Sequence, residues 1–186
     1  MNKKYNAPTP KAKKGFKSIL FWGLIIAITV FFIVFIVFRF VNARSVNSYD
    51  SLTELKGEQI LSKEAQTETY LVFVYSKKAE EEKEDDDFDK LVYKYITFAK
   101  KNAANNTSVY NIYGFDIDDP TNKKVIISNS GEKKEVISNV SEFDELLIYD
   151  NDIPMLLVIS GNIVSDYKDS NNAISDYLQS IIDANK

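Results

Sequence analysis

The chain has 186 residues, a length that allows one modest domain beside a short additional segment. It contains 23 Lys and Arg and 27 Asp and Glu, which gives a net charge of −4. Cys and His are both absent, which excludes disulfides, thiol redox chemistry, thiolate zinc sites and His-based catalysis. Residues 45–186 carry 15 Lys, no Arg and all 27 acids, a net charge of −12, which disfavours nucleic-acid binding.

The first predicted element is a transmembrane helix at residues 18–40. It is built on the 20 uncharged residues from Ile19 to Phe38, which would cover about 30 Å as a helix, the thickness of a bilayer's hydrocarbon core. Lysines dominate the preceding residues 1–17, which predicts a disordered, cytoplasmic basic tail. The predicted location is therefore a single-pass plasma-membrane protein with its C-terminal domain outside the cytoplasm.

A cleaved signal peptide is the competing interpretation of this segment, because Val41-Asn42-Ala43 offers small residues to a peptidase. The apolar run is longer than the roughly 7–15 residues typical of signal peptides, which favours a retained anchor. Gly23 and Ala27 form a small-xxx-small pair that would permit close helix packing in a membrane complex. Residues 41–50 are predicted to be a juxtamembrane linker.

The first half of the remaining chain predicts helix, strand, helix. Residues 51–63 have apolar residues near helical spacing, although Gly57 interrupts them. Residues 69–76 form a continuous apolar and aromatic run, typical of a strand covered on both faces. The acidic run at 79–87 then leads into an amphipathic helix from Phe88 to about Asn102. This run lacks the glycine and spacing of a calcium-binding EF-hand loop, so a solvated loop and helix start is favoured.

A second strand is predicted at residues 107–116, with Gly114 at a bulge or a close approach. Asp116, Asp118 and Asp119 follow it directly. Paired carboxylates can perform acid–base chemistry or bind a divalent metal when a pocket holds them at a suitable distance. An enzyme based on these carboxylates is therefore one alternative for this sequence.

The last third of the chain predicts two hairpins and two helices. One hairpin is expected within residues 123–138, followed by a short helix at 142–148 that Ser141 would cap. The second hairpin joins strands at 155–159 and 163–167 through Ser160-Gly161-Asn162. A terminal amphipathic helix follows, capped by Ser170 or Asn171.

This order resembles the thioredoxin fold, an α/β architecture with a central mixed sheet flanked by helices, here spanning residues 51–186. The resemblance rests on TYLVFVYS at 69–76, VYNIYGFDID at 109–118 and DIPMLLVISGNIVSDY at 152–167. It implies a cis peptide bond before Pro154 and a protein-binding groove that involves Ile153, Pro154 and Tyr75. An ungapped match places the family's two redox cysteines at Ala79 and Glu82, so its dithiol exchange is lost.

The predicted function is a membrane-anchored, redox-inactive thioredoxin-like domain that acts as a protein-binding or accessory module for exported or membrane proteins. Its expected partners are the bilayer, through residues 18–40, and a protein in or outside the membrane. No catalytic residue, metal site or cofactor is predicted. The alternatives are a carboxylate-based extracytoplasmic enzyme, with or without a divalent metal, and a structural subunit of a membrane complex.

Overall fold

The computed structural model describes residues 15–42, 46–81, 86–127 and 137–186. The chain divides into two compact units, Met1–Arg44 and Ser45–Lys186. Nearly all of the predicted basic tail at 1–17 lies outside the described residues.

Helix α1 of the first unit extends over Phe16–Asn42. Among the described residues, no helix combines the length and the apolar character needed to cross a bilayer. The predicted transmembrane helix at 18–40 and the predicted single-pass plasma-membrane location are therefore corrected, since the structure supports only an α-helix here.

The second unit is a mixed α/β fold built on a mixed sheet. Within the described residues, the order of the four strands in this sheet is β2-β1-β5-β6. Strands β1 and β2 are parallel, whereas β5 is antiparallel to both β1 and β6. The strands are β1 Thr69–Tyr75, β2 Asn111–Asp116, β3 Ile126–Ile127, β4 Ile148–Tyr149, β5 Met155–Ser160 and β6 Ile163–Lys168. The helices are α2 Gln59–Ser62, α3 Lys77–Glu81, α4 Asp87–Asn102 and α5 Asn171–Ala184.

Strand β1 lies in the interior of the sheet, as its apolar run predicts. Its alternate residues Leu71, Phe73 and Tyr75 belong to the core formed with α4 and α5. The alternating residues Tyr70, Val72 and Val74 belong to a second core on the opposite face of the sheet. Burial on both faces explains why the sequence of this strand is continuously apolar instead of alternating.

Helix α4 forms where the amphipathic spacing predicts it. Asp86 caps the helix, because its carboxylate accepts from the N–H groups of Phe88 and Asp89 at 2.8 and 3.0 Å. Asp89 completes a capping box by accepting from the N–H of Asp86 at 3.0 Å. The acids at this end of the helix thus supply the acceptors that its first N–H groups lack.

The C-terminal hairpin and helix also form as predicted. Strands β5 and β6 are joined by Gly161 and Asn162, whose φ angles of 65° and 62° suit a tight hairpin turn. Ser170 caps α5 by accepting from the N–H of Ala173.

Two predicted helices form only in part. Within 51–63 only Gln59–Ser62 is helical, because Thr53 and Leu55 instead exchange backbone hydrogen bonds with Gly114 in β2. Within 142–148 a single 3₁₀ turn, Phe143–Glu145, precedes strand β4.

Part of the first predicted hairpin lies outside the described residues, which omit 128–136. Within the described residues, Ile126–Ile127 pairs in parallel with Ile148–Tyr149.

The segment predicted as a linker contributes to the folded unit. Tyr49 is only 4% exposed, and its ring packs on Phe73, Tyr75 and Tyr93 at centroid distances of 5.1, 5.2 and 4.9 Å. This segment therefore contributes Tyr49 to the core that α4 covers, with Val46 packed against that core.

Candidate functional site

The strand-end site is the region where β1 and β2 finish and β5 begins. The parallel strands β1 and β2 end together, since Tyr75 pairs with Asp116. Met155 pairs with Val74, so the preceding residue, Pro154, follows at the level of Tyr75. Ligands of open α/β sheets commonly bind outside the carboxyl ends of the strands, which makes this region the first to consider.

Two carboxylates fix the loop that follows β1. Asp116 accepts from the N–H of Lys77 at 3.1 Å and from the N–H of Asp118 at 3.0 Å. Asp118 in turn accepts from the Ser76 hydroxyl at 2.9 Å and from the N–H of Lys78 at 3.0 Å. The two acids therefore bind the main chain of the loop and the start of α3.

The surroundings of Asp118 favour its ionised form. Burial by itself raises the pKa of this carboxyl, but the hydrogen bonds from Lys78 and Ser76 and the charges of Lys78 and Lys123 outweigh burial and lower it. A carboxylate that stays ionised and accepts from several donors is a good structural acceptor.

The third acid of the predicted cluster lies in a different arrangement. Asp119 forms an ion pair with Lys56 at 2.8 Å and accepts from the hydroxyl and N–H of Thr121. The hydrogen bond from Lys56 lowers the pKa of Asp119. Within the described part of the chain, no cluster of three or more acidic side chains is arranged to hold a metal ion. The structure therefore gives the carboxylate-enzyme alternative no specific support.

Ile153 and Pro154 lie beside the end of β1. The peptide bond between them is cis, and both residues are half-buried. Ile153 follows the 3₁₀ turn Asp150–Asp152 and precedes β5, so it belongs to neither element. It lies outside the strand ladders of the described sheet, in which β5 begins to pair at Met155.

Tyr75, the third predicted site residue, lies beneath the surface. Its side chain is 1% exposed and belongs to the aromatic core, with the Phe73 ring 5.7 Å away. It lines a cavity of about 150 Å³ together with Tyr49 and Tyr93, and its buried phenolic oxygen has no hydrogen-bond partner among the residues that the structure describes. Burial raises the pKa of this phenol. Tyr75 thus supports the floor of the strand-end site and is not available for direct contact with a partner.

Alkaline pH is expected to unfold this tyrosine-rich unit. Burial raises the pKa of Tyr177 to about 12 and also raises the pKa values of Tyr49, Tyr75, Tyr95 and Tyr113. Tyrosines in an unfolded chain titrate at about pH 10. Above that pH the unfolded chain binds fewer protons than the folded chain. The free energy of unfolding therefore falls as the pH rises.

Urea unfolding at a series of pH values, with phenolate absorbance recorded in parallel, measures this effect. Tyrosine ionisation should accompany the loss of far-ultraviolet circular dichroism. Complete ionisation near pH 10 with an unchanged spectrum would contradict it.

The sequence did not reveal one residue that organises the site. Asn122 is 1% exposed, and its amide donates to the C=O of Asp116 at 2.8 Å and of Leu55 at 3.3 Å. Its side-chain oxygen accepts from the N–H of Gly57 at 2.9 Å. Asn122 therefore joins the end of β2 to the segment before α2. Its place in a polar turn gives no sign of burial.

Comparisons with known proteins leave the family of this chain open. No protein-family model matches it, and no curated protein matches it. Its function therefore has to be argued from the contacts and geometry of the described residues.

Proposed function

We propose that residues 51–186 form a redox-inactive, thioredoxin-like domain that binds an extended segment of another protein along the main chain of Ile153. The complementary chemistry is that of strand addition, in which main-chain hydrogen bonds supply affinity and side-chain pockets supply selectivity. A chain without Cys or His can offer this kind of recognition without thiol chemistry.

The order of the elements supports the thioredoxin-like part of this proposal. The parallel pair β1 and β2 is linked through α4, and the antiparallel β5–β6 hairpin leads into the terminal helix α5. This is the order in which the sequence resembles the thioredoxin fold. The Ile-Pro dipeptide also lies next to the end of β1, as the resemblance implies.

The observation that carries the proposal is that the main chain of Ile153 lies outside the strand ladders, next to the end of β1. The outer edge of β2 is occupied at Gly114, which accepts from the N–H of Leu55 and donates to the C=O of Thr53. The outer edge of β6 is occupied at Val164, which exchanges hydrogen bonds with residues 139 and 140. Ile153 lies in no strand ladder within the described ranges, so an incoming segment could pair with its main chain there.

Backbone-methylated peptides test this mode of binding. Peptides are first selected from a random library against the full chain, and their affinity is measured by fluorescence anisotropy. Methylating the peptide N–H groups that face Ile153 should weaken binding by about tenfold, since one or two hydrogen bonds are lost. Methylating the alternate N–H groups, which point away, should have little effect. Equal losses of affinity from the two methylation patterns would refute strand addition. Failure to select any peptide from the library would also refute it.

The position of the bound peptide can be tested with a unique thiol. Because the chain has no Cys, Ile153→Cys introduces a single thiol that a haloacetyl group on the peptide can alkylate. Asp176→Cys, at an exposed position on α5, is the matched control. Crosslinking at residue 153 and not at 176 is expected, whereas equal yields at both positions would place the peptide elsewhere.

A further inference from the structure

A second concave surface lies on the exposed side of α4, away from the residues assigned to the strand-end site. It is a cavity of about 450 Å³ between residues 46–47 and the helix. Val46, Tyr93 and Phe98 supply its apolar lining. The N–H of Val46 donates to the Thr97 hydroxyl at 3.0 Å, and that hydroxyl donates to the C=O of Tyr93 at 2.9 Å. These bonds fix the segment to the helix and preserve the shape of the cavity.

The charged residues of this cavity are all lysines. Lys90, Lys94 and Lys101 line it, and no acidic side chain is among its described lining residues. Their spacing of four and seven residues places them along one stripe of the helix. This basic stripe is notable because residues 45–186 carry a net charge of −12.

The lysines differ in how far their charge is neutralised. Lys90 pairs with Asp87 at 3.3 Å, whereas Lys94 donates to the neutral amide of Gln179 at 3.1 Å. Lys101 has no ion-pair partner among the described residues. Lys94 also lies close enough to Asp183 for the two charges to interact, so Lys101 has the least compensated charge of the three at the edge of the apolar surface.

We propose that this cavity binds a single-chain fatty acid. The alkyl chain would lie on Val46, Tyr93, Phe98 and the lysine stems, and the carboxylate would lie near Lys94 and Lys101. A volume of 450 Å³ falls within the range of about 300–1,000 Å³ found for small-molecule sites.

A singly charged head group fits the lysines better than a phosphate. Since Lys90 is paired with Asp87 and Lys94 interacts with Asp183, the charge that remains matches a carboxylate better than a phosphate monoester, which carries about −1.5 to −2 charges at pH 7. The choice of a carboxylate follows from this difference.

Displacement of a fluorescent fatty acid from the full chain tests the proposal. Dansyl-labelled undecanoic acid is the probe, and dodecanoate and dodecanol are competitors with the same chain length, all kept below micelle-forming concentrations. Dodecanoate should displace the probe at a lower concentration than dodecanol. Equal competition by both would show that the lysines make no contribution and would overturn the assignment. Probe displaced by an acidic amphipathic peptide but not by dodecanoate would also overturn it, in favour of a protein ligand.

Charge-reversal variants locate the carboxylate. The double variant Lys94→Glu, Lys101→Glu should weaken dodecanoate binding by about tenfold. The control, Lys123→Glu with Lys124→Glu, reverses two exposed lysines that do not line the cavity and should leave binding unchanged. Equal losses in the two double variants would indicate a general charge effect and refute the site.

An apolar variant tests the chain-binding surface separately. Phe98→Ala should weaken dodecanoate and dodecanol to the same degree, because both present the same chain to this ring. Urea unfolding of each variant checks that it is folded. Should Phe98→Ala fail to fold, the lysine variants still decide the question.

Discussion

Replacing Asn122 with alanine is expected to lower the free energy of unfolding by about 2–4 kcal/mol, because buried donors and acceptors are left without partners. The side chain is 1% exposed and serves three main-chain groups, the C=O of Leu55, the N–H of Gly57 and the C=O of Asp116. Alanine fills less space and can bond to none of them. Urea unfolding followed by far-ultraviolet circular dichroism measures the loss.

The matched control is Asn102→Ala, the same substitution at the end of α4. Asn102 is half-buried and makes one described side-chain hydrogen bond, from its amide to the C=O of Phe98 at 2.8 Å. This variant should lose no more than about 1 kcal/mol. Similar losses in both variants would show that the three bonds of Asn122 contribute little beyond a generic Asn→Ala effect.

Loss of Asn122 should also be felt at the strand-end site. Asn122 holds the main chain of Asp116, and the carboxylate of Asp116 accepts from the N–H of Lys77 at 3.1 Å. Hydrogen exchange at the Lys77 amide should therefore be faster in Asn122→Ala than in the control, by more than the global loss of stability accounts for.

The central sheet could be predicted because the residues that specify each strand and turn lie close together in the sequence. Strand β1 is continuously apolar since both faces are covered, and the β5–β6 turn carries Gly161 next to Asn162. Helix α4 likewise combines an apolar stripe with acids that cap its own N–H groups. In each case the residues that specify the element lie within it.

The wrong predictions concern segments whose local structure depends on hydrogen bonds to residues that are distant in the sequence. Leu52, Leu55, Ile60 and Leu61 have helical spacing, but the hydrogen bonds between residues 53–55 and Gly114 hold the chain extended. Gly57 then takes a φ of 52°, which ends any continuous helix. Ile148 is similarly drawn into β4 by pairing with Ile126, 22 positions earlier. Such pairings have no signal in a single local window.

The strand-end site also contains some residues that the sequence could place and others that it could not. The position of Ile153 and Pro154 follows from the order of strands, which the sequence indicates. The resemblance includes Tyr75 in the predicted groove, and its alternation with Leu71 and Phe73 places it on the face that α4 covers. Asn122 had no comparable signal, since a polar residue in a turn is usually solvated.

The buried hydrogen bond between Tyr49 and Asp89 supports the second large prediction. The Tyr49 phenol donates to Asp89 at 2.6 Å, and Asp89 is 1% exposed. Burial first, and this carboxylate second, raise the pKa of Tyr49, which keeps the phenol protonated as a donor. Asp89→Ala should lose about 3 kcal/mol, because it removes a hydrogen bond to a charged group and one arm of the α4 capping box.

A double-mutant cycle separates these two contributions. Tyr49→Phe removes only the phenol, so the coupling energy between Tyr49→Phe and Asp89→Ala measures their hydrogen bond and should be about 1–2 kcal/mol. The remaining loss in Asp89→Ala then belongs to the capping box. Asp87→Ala is the control, since the Asp87 side chain is fully exposed and, among its described contacts, pairs only with Lys90 at 3.3 Å. This substitution should change the free energy of unfolding by less than about 0.5 kcal/mol. A coupling energy near zero would mean that Tyr49 is held by its aromatic neighbours alone, and the carboxylate would then stabilise α4 without fixing residues 46–50 to it.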